Sequence, residues 1–252
     1  MEFNTSDRVY LCGRLVVLLD GHRLEDRLPG RQGHVVFAAL ARHRERGLSR
    51  TDLTRVLWSD DQPDAADSAL SALLSRMRRA LGPQRIDGRG HLRLVLPART
   101  WIDLDAADEA LHRAESAVAC GAFTEAWSPA RVALHVAARG FLAGATGAWI
   151  EHERRAVADL RLRALEACAD ACLALGGTEL ATAERSARTL VELAPYRESG
   201  HRLLMRCLVA RCNPAEALLA YEALRERLRA TLGVGPGTAT RALHAEILAG
   251  RG

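Results

Sequence analysis

Lysine is absent: all 35 basic residues among the 252 of this chain are arginine. A phosphate-binding P-loop needs its lysine, and Schiff-base and pyridoxal phosphate mechanisms need an amine nucleophile, so those chemistries are excluded. The same bias, together with abundant alanine, suggests a GC-rich genome and is therefore partly mutational. A membrane-length apolar stretch is also missing; the run Leu15 to Leu19 is strand-sized. The start, MEFNTSDRVY, carries no basic segment followed by an apolar one and a small-residue cleavage site, which places the chain in the cytoplasm. No CxxC occurs among the six cysteines, Cys12, Cys120, Cys168, Cys172, Cys207 and Cys212. Cys168 and Cys172, one helical turn apart, could bind a metal, but buried packing is the stronger reading. Nine histidines show no ligand spacing, His152-Glu153-Arg154-Arg155 lacks the second histidine of a zinc protease, and Gly-x-Ser-x-Gly is missing. Neither an enzyme nor a metal or cofactor is expected.

What is present is a globular composition, 48% hydrophobic and 26% charged, long enough for two domains. Charge is unevenly divided. Residues 1–100 hold 17 arginines against 12 acids, a net of +5, whereas residues 101–252 hold 18 against 19. The stretch from Ser68 to Thr100 is the extreme, with Arg76, Arg78, Arg79, Arg85, Arg89, Arg93 and Arg99 against the single acid Asp87. An anionic partner for the N-terminal part follows, nucleic acid first among them.

Pattern gives the stretch a shape. Val9 to Leu19 reads as strand and Asp20-Gly21 as a tight hairpin turn. Gln32 to Arg44 has helical spacing, with Val36, Ala39 and Leu40 inward and Gly47 as its stop. Ser49 and Asp52 form an acidic capping box ahead of a short helix with Leu53, Val56 and Leu57 inward, closed by Trp58. After the loop SDDQPD a third helix starts near Asp64. Leu70, Leu73, Leu74, Met77 and Leu81 share one face of it, while Ser68, Ala72, Ser75, Arg76 and Arg79 share the other. A solvated helix face normally mixes acids with its bases, and this one has none past Asp67. Gly82-Pro83 ends the helix, and Arg85-Ile86 and Leu92 to Leu96 read as two strands joined by Asp87-Gly88-Arg89-Gly90. Helix followed by arginine-tipped hairpin predicts a winged helix-turn-helix, with the helix in the major groove and the wing beside it. The planar arginine fork suits phosphate oxygens and the guanine edge.

From Trp101 onward the pattern is amphipathic helix without further convincing strands. Ala183, Ala187, Leu190 and Pro195 recur 34 residues later as Ala217, Tyr221 and Leu224, with breaks at Gly176-Gly177 and Cys212-Asn213-Pro214. That period is the signature of tetratricopeptide (TPR) repeats, and a weaker copy occurs around Ala126, Ala130 and Ala133. The expected fold is mainly α: an N-terminal winged helix-turn-helix with small β-sheets over residues 1–100, then an all-α, TPR-like helical repeat domain over residues 101–252.

The order of LVVLLDG (Leu15 to Gly21), SRTDLTRVLW (Ser49 to Trp58), SRMRRALGP (Ser75 to Pro83), IDGRGHLRL (Ile86 to Leu94) and LGVGPGTATRAL (Leu232 to Leu243) resembles the SARP (antibiotic regulatory protein) type of bacterial transcriptional activators. These pair an OmpR-like winged helix with a bacterial transcriptional activator domain. The resemblance implies a pathway-specific activator for a specialised-metabolite cluster, which binds direct repeats of double-stranded DNA near promoters, compatibly with a homodimer on DNA, and recruits RNA polymerase holoenzyme with its sigma factor. It also implies DNA contacts from Ser68, Ser71, Ala72, Ser75, Arg76, Arg79, Arg89 and Arg93, and polymerase contacts from the loop holding Trp58, Asp60 and Asp61. Larger relatives add a nucleotide-hydrolysing domain and others a receiver; neither is expected here. Two features depart from the pattern. Asp67, Ser68, Ser71 and Ala72 are small where relatives carry larger polar groups, which shifts affinity toward phosphate contacts and groove shape. His91 replaces a common wing tyrosine. The competing reading is a TPR-type interaction module that has lost or weakened DNA binding; a small effector bound by the repeats is compatible with either, and the sequence identifies none.

Overall fold

The structure is a computed structural model, describing residues 7–59 and 61–250. Strands β1 (Arg8–Tyr10), β2 (Val16–Leu19) and β3 (His22–Arg23) open the chain. Asp20 and Gly21, at φ 51° and 76°, make the β2–β3 turn that the dipeptide predicts. Helix α1 (Gly30–Arg42) buries Val36, Ala39 and Leu40. After β4 (Leu48–Ser49), helix α2 (Arg50–Trp58) starts on the full capping box: the Ser49 hydroxyl accepts the Asp52 N–H, and the Asp52 carboxylate accepts the Ser49 N–H at 3.0 Å. Helix α3 (Ala66–Leu81) follows, then β5 (Ile86–Asp87) and β6 (His91–Leu94). β6 lies between β4 and β5 in an antiparallel three-stranded sheet.

Trp101 and Ile102, expected only to mark the change to helix, form β7 (Trp101–Ile102). It completes a sheet of order β3-β2-β1-β7 and runs parallel to β1. Two residues carry no periodicity; the strand exists because β1 offers them an edge, which is a long-range cause.

Helices fill the rest: α4 (Asp103–Ala119), α5 (Phe123–Ala137), α6 (Ala148–Leu175), α7 (Leu180–Leu193), α8 (Glu198–Ala210), α9 (Pro214–Leu232) and α10 (Thr238–Leu248). The chain divides into two compact units, though not by a single cut at residue 100. The first runs up to Ala106 and also takes in Val136–Ala158; the second holds Ala107–His135 and the chain from Asp159 onward.

The returning segment is stitched into the first unit. The fully buried Asp103 accepts the N–H groups of Leu11 and Cys12 at 2.8 and 3.1 Å, and Arg139 donates to it at 3.1 Å. Gly13 N–H donates to Gly140 at 2.7 Å and Leu142 N–H to Leu11 at 2.9 Å. Arg154 donates to the carbonyls of Phe141, Leu142 and Ala145, and Glu153, only 6% exposed, accepts from Arg42 at 3.2 Å. The His-Glu-Arg-Arg stretch is therefore occupied with structure.

In the second unit Ala183, Ala187, Leu190, Ala217, Tyr221 and Leu224 are all buried in one core, as their 34-residue recurrence predicts. Gly200 marks the α7–α8 crossing: a Cβ there would lie 2.9 Å from Leu190 Cγ. Cys168 and Cys172 are buried in this core, and the Ser186 hydroxyl lies 3.7 Å from Cys168 Sγ. Glu198 accepts the Gly237 N–H at 3.0 Å, fixing the start of α10. Among the described residues, no helix is long and apolar enough to cross a membrane.

Candidate nucleic-acid interface

The third helix is positioned by its apolar stripe. Leu70, Leu73, Leu74, Met77 and Leu81 are buried, which at helical spacing turns Ser68, Ser71, Ala72, Ser75, Arg76 and Arg79 outward; all six are exposed. Arg76 and Arg79 form no ion pair or side-chain hydrogen bond among the described residues. Their charge is left uncompensated among the described residues.

Other arginines of the cluster are not free. Arg78 donates to the carbonyls of Ile86, at 3.2 Å, and Gly88, at 2.7 Å, tying the wing to α3. Arg85 is paired with Asp20. A cluster that reads as seven equivalent cations thus separates into structural and available members.

Arg50 was not among the sequence-predicted residues, and it organises the base of α3. Its guanidinium donates to the Asp67 carboxylate at 2.7 Å, to the Asp67 carbonyl at 3.0 Å and to the Ser71 hydroxyl at 2.7 Å. Its backbone N–H donates to Gly90 in the wing turn at 3.1 Å. Asp67, which looks ill-suited to a DNA-facing surface, is the partner that holds this arginine. The pairing spans 17 residues and carries no local signature.

In the wing, Arg89 is exposed in the turn between β5 and β6, and Arg93 is exposed on β6, opposite Asp87 in the register. Gly88 sets the turn. Its φ is +87°, and an added Cβ would lie 1.9 Å from the His91 carbonyl oxygen, so only glycine fits. The His91 ring nitrogen Nε2 lies 2.6 Å from the Arg46 carbonyl, which anchors the wing to the α1–β4 connection and gives this departure from the family pattern a structural use. Trp58, expected in the loop, is the last residue of α2 and partly buried; Asp61, in the loop that follows, is exposed, and Asp60 lies outside the described residues.

Two acids in this unit titrate low. Burial alone would raise Glu25, but the Val17 N–H, its own backbone N–H and Arg23 outweigh it and hold the carboxyl below its usual range. Asp52 is lowered by the hydroxyl and then the backbone N–H of Ser49. Asp103 goes the other way: burial pushes it up, against the N–H groups of Leu11 and Cys12 and the charge of Arg139.

A helix with free arginines on its outer face, a wing latched to it, and an all-α repeat downstream together define a winged-helix protein joined to a helical repeat. The family model described as bacterial transcriptional activator domain matches residues 102–248, and the chain belongs to that family. It is 30% identical over 230 residues to the regulatory protein AfsR of Streptomyces coelicolor, covering 91% of this chain and 23% of AfsR. It is 33% identical over 238 residues to the transcriptional regulator RedD of the same organism, covering 85% of this chain and 63% of RedD. The transcriptional regulatory protein EmbR of Mycobacterium tuberculosis is 28% identical over 245 residues, 94% of this chain and 62% of EmbR. A solved structure of M. tuberculosis EmbR in complex with a low affinity phosphopeptide shares the fold with a TM-score of 0.84 at 24% identity, covering 98% of this chain and 65% of that one. The chain thus spans from under a quarter to just under two thirds of these relatives, and the SARP-type resemblance extends over most of its own length.

Proposed function

We propose that this chain is a transcriptional activator that binds double-stranded DNA through residues 1–100 and acts on transcription through residues 101–252. The observation that carries the reading is the free guanidinium pair Arg76 and Arg79 on the outer face of α3, with Arg89 exposed on a wing that Arg78 and Arg50 fix in place. Such a surface would neutralise several phosphates and release their counterions, so affinity is electrostatic first. Ser68, Ala72 and Ser75 present short side chains to the duplex, which leaves sequence choice to a few base edges and to groove shape. Ser71 is already engaged with Arg50 and the Asp67 carbonyl, and contributes by orientation.

In the finer version, the protein sits on direct repeats near a promoter, two copies side by side, and Trp58 and Asp61 at the α2–α3 connection meet RNA polymerase and its sigma factor. The regulated genes form a specialised-metabolite cluster, and the setting is the cytoplasm. The resemblance to SARP-type activators supports these points. No enzymatic step is assigned.

The test is an electrophoretic mobility shift on upstream DNA across a salt series. Binding that weakens log-linearly with salt supports the proposal. Absence of a shifted band at low salt favours the interaction-module reading, in which the repeats alone carry the function.

A further inference from the structure

Helix α3 holds a single acid, Asp67, in its first turn, with a side chain 77% exposed. A carboxylate repels phosphate, so a surface that served only the duplex backbone would have no use for it.

Its surroundings remove much of that penalty. Arg50 Nε and Nη2 both reach the same carboxylate oxygen, Oδ1, at 2.7 Å. Nη2 also donates to the Asp67 carbonyl and the Ser71 hydroxyl, and the Arg50 backbone N–H is tied to Gly90. The charge is thus paired and the carboxylate is aimed by a planar fork with no slack in it. The second oxygen, Oδ2, meets no donor among the described residues.

The neighbouring side chains have less to offer a base. Ala72 has no polar group. The Ser71 hydroxyl donates to the Asp67 carbonyl at 2.8 Å and accepts from Arg50, so its proton is spent. Ser68 and Ser75 are exposed, and neither hydroxyl is oriented by a partner among the described residues. Oδ2 is the polar atom here that is both held in place and unused.

The opening residues of a recognition helix are those that meet base edges. An ionised carboxylate can only accept. In the major groove guanine shows two acceptors, and thymine an acceptor and a methyl group. Adenine has an amino donor beside the acceptor N7, whereas the cytosine amino group N4 has no acceptor next to it on its own base. We propose that Asp67 determines specificity by selecting cytosine: Oδ2 accepts one N4–H in the major groove while Arg50 holds Oδ1. The inference rests on the reading of residues 1–100 as DNA-binding.

The full chain is offered a pool of randomised duplexes, and the retained DNA is sequenced for the unaltered protein, Asp67→Asn and Asp67→Ala. The unaltered protein should select a consensus containing one cytosine that Asp67→Asn converts to adenine, because a side-chain amide pairs with adenine N6 and N7. Asp67→Ala should be indifferent at that position, and the flanking positions should stay as they are in both. In mobility shifts, replacing the cytosine should weaken the unaltered protein about tenfold, the scale of one hydrogen bond to a charged group, and leave Asp67→Ala unaffected. Both variants shed a negative charge, so base preference rather than overall affinity is the readout. One consensus shared by all three proteins, or a preference lost at every position together, overturns the inference, since Asp67 then serves only to hold Arg50. DNA retained without any consensus also overturns it but leaves the DNA-binding reading standing. No DNA retained by the unaltered protein at low salt removes both.

Discussion

Arginine takes every Lys-or-Arg position this protein has, and its arginines are not alike. Arg78 and Arg85 spend their charge on the Ile86 and Gly88 carbonyls and on Asp20, while Arg76 and Arg79 face outward, unpaired among the described residues. Arg76→Ala and Arg79→Ala should therefore each weaken DNA binding broadly across sequences and lower the salt slope by about 0.9 for one lost phosphate contact, with the melting temperature unchanged. Arg78→Ala should lower the melting temperature as well, because two wing carbonyls lose their donor. The density of arginine was plain in the sequence, but its division was not, since the partners are set by folding: Asp20 lies 65 residues from Arg85. Arg50 was missed for the same reason. Acid stability belongs to this scale too. Glu25 is held low in the folded state, so its contribution is complete above about pH 4, the range of a free carboxyl, and is lost as pH falls through the lower folded value. Glu25→Gln should flatten that acid limb, read as melting temperature against pH.

At the scale of elements, what was legible had a local cause. The capping box at Ser49, the buried stripe of α3 and the Asp20-Gly21 turn each follow from residues within a few positions of one another, and each is found where the pattern puts it. β7 was not legible, because two residues become a strand only when β1 pairs with them. The wing was visible as a turn sequence, yet its fastening was not: Arg78, the Arg46 carbonyl that His91 meets and the Arg50 N–H hold it from three other places in the chain. Gly88 is where this fastening is most exposed to test. Gly88→Ala cannot keep a φ of +87° with a Cβ 1.9 Å from a carbonyl oxygen, so the turn must rebuild and carry Arg89 away. DNA affinity should fall at least as far as in Arg89→Ala, while the NMR amide signals of the first half of α3, away from Arg78, stay in place.

On the scale of the whole molecule, the winged helix and the helical repeat were both legible, the second because a 34-residue period survives any local ambiguity. The path of the chain was not. Nothing in the composition of Val136–Ala158 tells that it packs with the N-terminal unit, since the ties that place it there run to Leu11, Gly13, Arg42 and Asp103, all more than 30 residues away in the chain. Removing the arginine from this arrangement is milder than removing the acid. Asp103→Ala should cost about 3 kcal/mol by leaving two buried N–H donors and a half-buried guanidinium unanswered, whereas Arg139→Ala should cost less, as measured by chemical denaturation.

That return of the chain governs how the protein can be taken apart. A protease nick or a gene split placed after Ala106 would strip the N-terminal sheet of the backbone partners that Gly140 and Phe141 supply, and would leave a fragment bearing every proposed DNA-contacting side chain but lacking part of its own scaffold. Swapping the winged helix onto another regulator would succeed only if a borrowed segment refilled the place of 136–158.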